Sequence, residues 1–257
     1  MSKKKAALWI LIGAVIIAVC WLGAGLLLAQ PESGDNPQVI GLRETPVGED
    51  FKRVTGPEQM VFPRDFGPHP DFRTEWWYYT GNIQGEGERS FGYQLTFFRR
   101  ALFPADQRSP RESDLAVEQV YMAHFALSDI SGDRFYAFER FERGAAGLAG
   151  SVSTPTYQVW LRDWRVEQVG EDEYALNAAQ DGISLNLRLV DRKGIILQGK
   201  DGYSQKGPET GNASLYYSQS RLESSGTIKL GEEEVQVSGL SWLDREISTL
   251  SLSGTQV

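Results

Sequence analysis

The feature that most restricts this chain is an alternation of apolar and polar residues with a period of two, which dominates from Glu75 onward. Ile183, Leu185, Leu187 and Leu189 alternate with Ser184, Asn186 and Arg188, and Val235 and Val237 flank Gln236 in the same way. Successive side chains of a strand point to opposite faces, so this spacing gives one apolar face and one wet face. Further strands are expected over 75–83, 90–100, 118–128, 134–142, 157–169, 173–179, 195–198, 215–222 and 226–230. Turn residues such as Ser131-Gly132-Asp133 and Asp181-Gly182 separate them. No stripe with helical spacing competes in this region. The expected fold class is therefore all-β, an antiparallel barrel or sandwich. Residues 104–114 read as a polar loop with a short helical turn.

The N-terminus is different. Lys3, Lys4 and Lys5 precede an uncharged apolar run from Ala6 to Ala29. As a helix this run would be about 36 Å long, enough to cross a bilayer. The lysines favour the cytoplasmic side, which places the rest of the chain outside. Residues 1–29 are thus expected to be a signal anchor or a cleaved signal peptide, with the protein at the cell envelope, membrane-anchored or secreted. Small residues suited to cleavage are poorly placed around Leu27 and Ala29, which favours the anchor. Residues 30–59, rich in Pro, Gly and charge, read as a linker and an arm leading into a β domain over 60–257.

Composition removes several function classes. The net charge is −8 although Lys3–Lys5 supply three of the 26 basic residues, so the domain itself is more acidic still. Such a domain repels phosphate backbones, and no nucleic-acid partner is expected. Cys20, the only cysteine, lies in the apolar run, so the domain can form no internal disulfide and no thiolate metal site. The two histidines, His69 and His124, are far apart in sequence. No metal or cofactor is therefore expected. No nucleophile elbow, phosphate loop or dinucleotide fingerprint is present.

Three clusters could carry chemistry. The first runs from Phe62-Pro63-Arg64-Asp65 through Glu75-Trp76-Trp77-Tyr78-Tyr79-Thr80-Gly81, where strand parity puts Glu75, Trp77 and Tyr79 on one face. In 121–127, His124 shares a face with Met122 and Ala126. In 239–246, Trp242, Asp244 and Glu246 share a face, with Leu243 and Arg245 opposite. Two acids two residues apart on a strand lie roughly 7 Å apart, and in a closed interior repulsion and desolvation would keep one of them protonated. Facing water, they would be a solvated pair. Each cluster also fits an ordinary barrel core with a polar rim.

In this order, Glu75-Trp76-Trp77-Tyr78, Ala123-His124-Phe125-Ala126-Leu127-Ser128-Asp129, Gly202-Tyr203-Ser204-Gln205-Lys206-Gly207, Ala213-Ser214-Leu215-Tyr216-Tyr217-Ser218 and Trp242–Glu246 resemble the carotenoid 1,2-hydratase/AttH family. The resemblance runs from about Phe51 to the C-terminus and implies a lipocalin-like barrel, the first of two that members place side by side. The second barrel is expected to be largely missing here. Ile247 stands where a tryptophan usually follows Asp-Arg-Glu, and Leu243 stands where the hydratases have histidine, so the chain is closer to the AttH-type branch. The resemblance implies an enzyme of the hydratase or hydrolase type acting on a hydrophobic isoprenoid- or lipid-like molecule. The expected catalytic residues are Asp244 as proton donor, with Glu246 or His124 orienting water. Glu75, Trp77, Tyr79, Tyr217 and Trp242 are the expected substrate-binding residues. The alternatives are a non-catalytic carrier of a hydrophobic ligand and a structural envelope protein.

Overall fold

The computed structural model describes residues 51–107 and 117–249, and the apolar segment 1–29 and most of the expected linker lie outside them. Thirteen antiparallel strands are described: β1 (Thr74–Gly85), β2 (Ser90–Ala101), β3 (Gln119–Asp129), β4 (Arg134–Arg143), β5 (Ala149–Val152), β6 (Gln158–Leu161), β7 (Trp164–Gly170), β8 (Glu173–Gln180), β9 (Ile183–Asp191), β10 (Ile195–Leu197), β11 (Tyr203–Gln205), β12 (Ala213–Leu230) and β13 (Glu233–Ser248). Eleven of them form one continuous path, β4-β3-β2-β1-β13-β12-β9-β8-β7-β6-β5, with β10 and β11 added beside β12.

The path curls into a nearly closed barrel, and side chains bridge its two ends. Tyr121 on β3 meets Ser151 on β5 through their hydroxyls at 3.0 Å. Phe125 stacks edge-on to Trp164 at 5.8 Å, and the Arg140 guanidinium lies 4.2 Å from the Trp164 ring centre. Closure of this kind limits the exposed edges that make open sheets aggregate.

The alternation sorts as the sequence demands. Ile183, Leu185, Leu187 and Leu189 all enter the core, as do Trp77, Tyr79, Phe91, Tyr93, Leu95 and Phe97 from β1 and β2. Gly81 is needed where β1 passes between its neighbours. A Cβ there would stand 2.4 Å from the Ser241 hydroxyl and 2.6 Å from the Tyr93 ring, two groups that share a 2.6 Å hydrogen bond. The expected strand over 157–169 is two strands, because Arg162 turns the chain with φ 56. The expected pair 215–222 and 226–230 is one long strand, β12, carrying a register shift between Gln219 and Leu222.

The chain ahead of β1 closes one end of the barrel. A short 3-10 turn, Arg64–Phe66, carries a buried Phe66, which lies among Tyr157, Tyr174 and Tyr217 at 6.1–6.3 Å between ring centres. Phe62 stands 5.0 Å from the Tyr217 ring. Val54, from the expected linker region, packs with Phe72, Ala213, Leu215 and Ile247. Of the polar loop over 104–114, Ala105–Gln107 forms the expected short turn, and the rest of it lies outside the described residues.

Candidate functional site

The β1–β13 pair carries most of the residues singled out from the sequence and divides them between its two faces. In an antiparallel pair, residues directly opposite each other project to the same side. Trp77 pairs with Arg245 and Tyr78 with Asp244. Glu75, Trp77 and Tyr79 therefore point into the barrel with Leu243, Arg245 and Ile247, whereas Trp76 and Tyr78 point outward with Trp242, Asp244 and Glu246.

The inner group is a buried charge network. Glu75 is fully buried and receives one guanidinium on each oxygen, Arg99 on Oε1 and Arg245 on Oε2. The His69 backbone N–H donates to both carboxylate oxygens at 3.0 and 3.2 Å, and its Nδ1 lies 3.3 Å from Oε2. Arg99 also donates to the carbonyls of His69 and Phe72, both at 2.8 Å. Arg245 donates to the Gly67 carbonyl at 2.8 Å, and its guanidinium lies 3.9 Å from the Trp77 ring centre. Burial alone would favour protonated Glu75, but the two arginines and His69 outweigh it and hold the carboxyl well below its usual range.

The same residues latch the closing segment. Trp77 Nε1 donates to the Phe66 carbonyl at 2.9 Å, and the Tyr217 hydroxyl donates to the Asp65 carbonyl at 3.2 Å. Asp65 accepts from the Val61 N–H at 2.7 Å and from Arg64, and lies 3.4 Å from His69 Nε2. Burial opposes ionisation of Asp65, yet His69, Arg64 and the Val61 amide keep its carboxyl pKa low. Tyr79 meets Tyr157 hydroxyl to hydroxyl at 3.3 Å, and burial pushes both phenols up.

The outer group is a polar and aromatic surface. Asp244 is partly exposed, and its Oδ1 accepts from the hydroxyls of Tyr216 at 2.9 Å and Ser218 at 2.5 Å. Burial, helped by Asp244, pushes the Tyr216 phenol up to about 12. Glu246 accepts from the Ser214 hydroxyl at 2.7 Å and from Lys206 at 3.1 Å. Trp76 and Tyr78 are half-buried, and Trp242 is 37 % exposed. His124 lies in the same cross-strand row as Asp244, through Thr96 and Tyr78, but three strands away. That distance is about 14 Å. His124 contacts Glu139 at 3.0 Å and the Phe98 ring at 5.4 Å.

The expected single constellation, Asp244 protonated in a closed interior beside Trp77 and Tyr79, is therefore corrected. Parity on the strand pair puts Asp244, Glu246 and Trp242 outside and Glu75, Trp77, Tyr79 and Tyr217 inside. The structure brings Asp244 and Glu246 together with Tyr216, Ser218 and Lys206, and leaves His124 apart. Among the described residues no group of three or more His, Cys, Asp or Glu side chains is arranged to hold a metal ion.

Sequence reasoning gave no role to Asp65, His69, Arg99 and Arg245, although Asp65 and Arg245 stand within the clusters it singled out. A signal for two of them was present: Arg99 follows Phe91, Tyr93, Leu95 and Phe97 in inward parity, and Arg245 follows Leu243. An arginine at an inward position calls for a buried acid, and Glu75 is the inward acid of β1.

These features define the class: an all-β protein whose eleven-stranded antiparallel path forms a nearly closed barrel, with a buried Glu-Arg-Arg network beneath the segment before its first strand. The AttH-like family profile matches residues 53–257, and the chain belongs to that family. Among solved structures it is similar to an AttH-type protein of Nitrosomonas europaea, with TM-score 0.68 and 33% identity over 79% of this chain and 60% of that one. It is also similar to kievitone hydratase from Nectria haematococca, with TM-score 0.53 and 9% identity over 79% of this chain and 58% of that one. At that identity the second likeness concerns the fold. The chain thus spans about 60% of the length of the solved protein from Nitrosomonas europaea. No curated protein matches it.

Proposed function

We propose that this protein carries out acid–base chemistry of the hydratase type on an apolar, isoprenoid- or lipid-like molecule, with Asp244 as the proton-transferring group. The observation that carries the reading is the outer face of β13. A partly exposed carboxyl there is positioned by two hydroxyls and faces Tyr78 across the strands, with Trp76 and Trp242 in the adjacent rows. An exposed tryptophan and two half-buried aromatic rings gathered around a positioned acid are a binding surface more than a random apolar patch. Both hydroxyls donate to Oδ1, so Oδ2 is the oxygen placed to carry a transferable proton.

The step is an addition of water. Asp244 gives its proton to one alkene carbon, and the aromatic faces stabilise the developing cation by up to about 2 kcal/mol. Water bonds to the other carbon and returns a proton to Asp244, so that one water is added in all. Glu246, held by Ser214 and Lys206, is near enough to orient that water, and His124 is not. The reading places the protein at the cell envelope, supported by Lys3–Lys5 and the apolar run behind them. A carrier holding its ligand in the lumen is less well supported, because Trp77, Tyr79 and Tyr217 are wholly buried against other side chains there.

The test is Asp244→Asn with an acyclic isoprenoid polyene in ¹⁸O-labelled water, reading label incorporation by mass spectrometry. Removing a general acid should lower the rate about 10²–10⁴-fold while leaving the melting temperature close to that of the parent. Full incorporation by the Asn variant would remove Asp244 from the role. Saturable binding without incorporation in either form would identify a carrier.

A further inference from the structure

A cavity of about 330 Å³ opens beside the closing segment, apart from the outer-face site. That volume is in the range that takes a small organic molecule. Its apolar walls are Met60, Phe72 and Leu215, with Pro68 and Pro70. Most of its charged side chains are already paired, Lys52 with Glu58 and Arg64 with Asp65. Asp71 is exposed and adds a negative charge at the cavity wall. A carboxylate entering the cavity would meet cations already committed and an acid nearby, so an uncharged ligand is favoured.

His69 and Asp65 both line this cavity, and His69 is the more exposed of the two. Its side chain is 17% exposed, against 4% for Asp65 and none for Glu75. Both of its ring contacts are long. The ring nitrogens lie 3.3 Å from Glu75 and 3.4 Å from Asp65, beyond the 2.7–3.2 Å of well-made N–H···O bonds. Asp65 meanwhile has closer partners in the Val61 amide and Arg64. A carbonyl oxygen entering from the cavity would give Nε2–H a better acceptor without leaving Asp65 unpaired.

We propose that this cavity is a binding site for a small neutral carbonyl compound with a compact apolar body, its oxygen accepting a hydrogen bond from His69 Nε2. Met60, Phe72 and Leu215 take the body. Burial disfavours a charged imidazole, but hydrogen bonds with Asp65 and Glu75 raise the His69 pKa and favour a cationic donor. Such a donor in a partly dry site polarises the carbonyl it holds. The site is independent of Asp244 and its chemistry.

The chain has two histidines, which makes the test direct. The full chain is labelled with ¹³C-histidine and titrated with cyclohexanone, and the imidazole signals are followed by NMR. The His69 signals should shift saturably, while those of His124 on the outer face stay in place. Sodium cyclohexanecarboxylate should produce no saturable His69 shift. Met60→Trp narrows the cavity and should abolish the cyclohexanone response with little change in melting temperature. Unmoved His69 signals, equal movement of both histidines, or a saturable response to the carboxylate in place of the ketone would each overturn the proposal. So would an undiminished response in a folded Met60→Trp variant. The comparison of the two ligands on the parent protein decides the matter even if that variant does not fold.

Discussion

Replacing Glu75 by Gln tests whether the buried charge network holds the barrel shut. Glu75 lies between Arg99 and Arg245, with all three side chains fully buried. Gln keeps the shape but removes the one negative charge that both guanidiniums share. Breaking a buried ion pair by removing one partner costs about 3–5 kcal/mol, because the other charge is left uncompensated. For a domain of this size that corresponds to a fall in melting temperature of roughly 6–20 °C. The sign of the pH dependence follows from the shifts. The Glu75 pKa is lowered when folded, so its stabilisation is complete above the ordinary value of 4.5 and is lost as pH falls through the lower folded value. Asp65 behaves alike, from an ordinary value of 3.8. The His69 pKa is raised, so its contribution is complete below 6.5 and is lost as pH rises through the higher folded value. The closing segment should therefore be held most firmly between pH 4.5 and 6.5. Thermal melts of the parent and Glu75→Gln at pH 3 to 9 would measure this. The gap between them should hold its full size around pH 5 and shrink progressively as pH falls below 4.5. A loss under about 1 kcal/mol, or a gap that fades between pH 7 and 5, would refute the reasoning.

Two further substitutions probe the same core. Arg245→Lys keeps the charge but loses the fork that reaches Glu75, Gly67 and the Trp77 face. It should cost about 2 kcal/mol in a urea melt and alter tryptophan fluorescence, whereas a neutral result would mean that charge alone matters there. Gly81→Ala forces a Cβ to within 2.4 Å of the Ser241 hydroxyl and should cost about 1–3 kcal/mol by calorimetry. An unchanged melting temperature would mean that Tyr93 and Ser241 yield easily.

Much of the fold can be read from the sequence because the period-two pattern is written on strands with one wet face. β9 is the clearest case, with Ile183, Leu185, Leu187 and Leu189 inside and Asn186 and Arg188 exposed. β5 and β11 were not legible. Ala149-Gly150-Ser151-Val152 and Tyr203-Ser204-Gln205 are too short, and too rich in small or polar residues, for an alternation to show. The site was half legible for a different reason. β1 is aromatic on both faces, with Trp77 and Tyr79 opposite Trp76 and Tyr78, so its pattern gives parity but no sign. Only the pairing with β13 decides which face is the core. The role of His69 could not be read, because it lies ahead of the first strand and is positioned through contacts with Glu75 and Arg99 that are distant in sequence.

Parity on one strand pair also separates holding the barrel together from acting on a substrate. Arg245 and the residues on either side of it, Asp244 and Glu246, are consecutive, yet the arginine points into the barrel and the acids point out. The arginine is committed to Glu75, to carbonyls and to the Trp77 face, and shares with Arg99 the neutralising of that buried acid on β1. The acids are committed to hydroxyls and to Lys206 on the outer face, Asp244 partly exposed and Glu246 buried. The three consecutive residues therefore do not form a single acidic-basic unit. Changing the inner one should register in melting with binding unaffected wherever the fold survives. Changing Asp244 should register in turnover with melting nearly unaffected. If Asp244→Asn and Arg245→Lys instead moved both readouts together, the two faces would be coupled through the strand, and the separation argued from parity would fail.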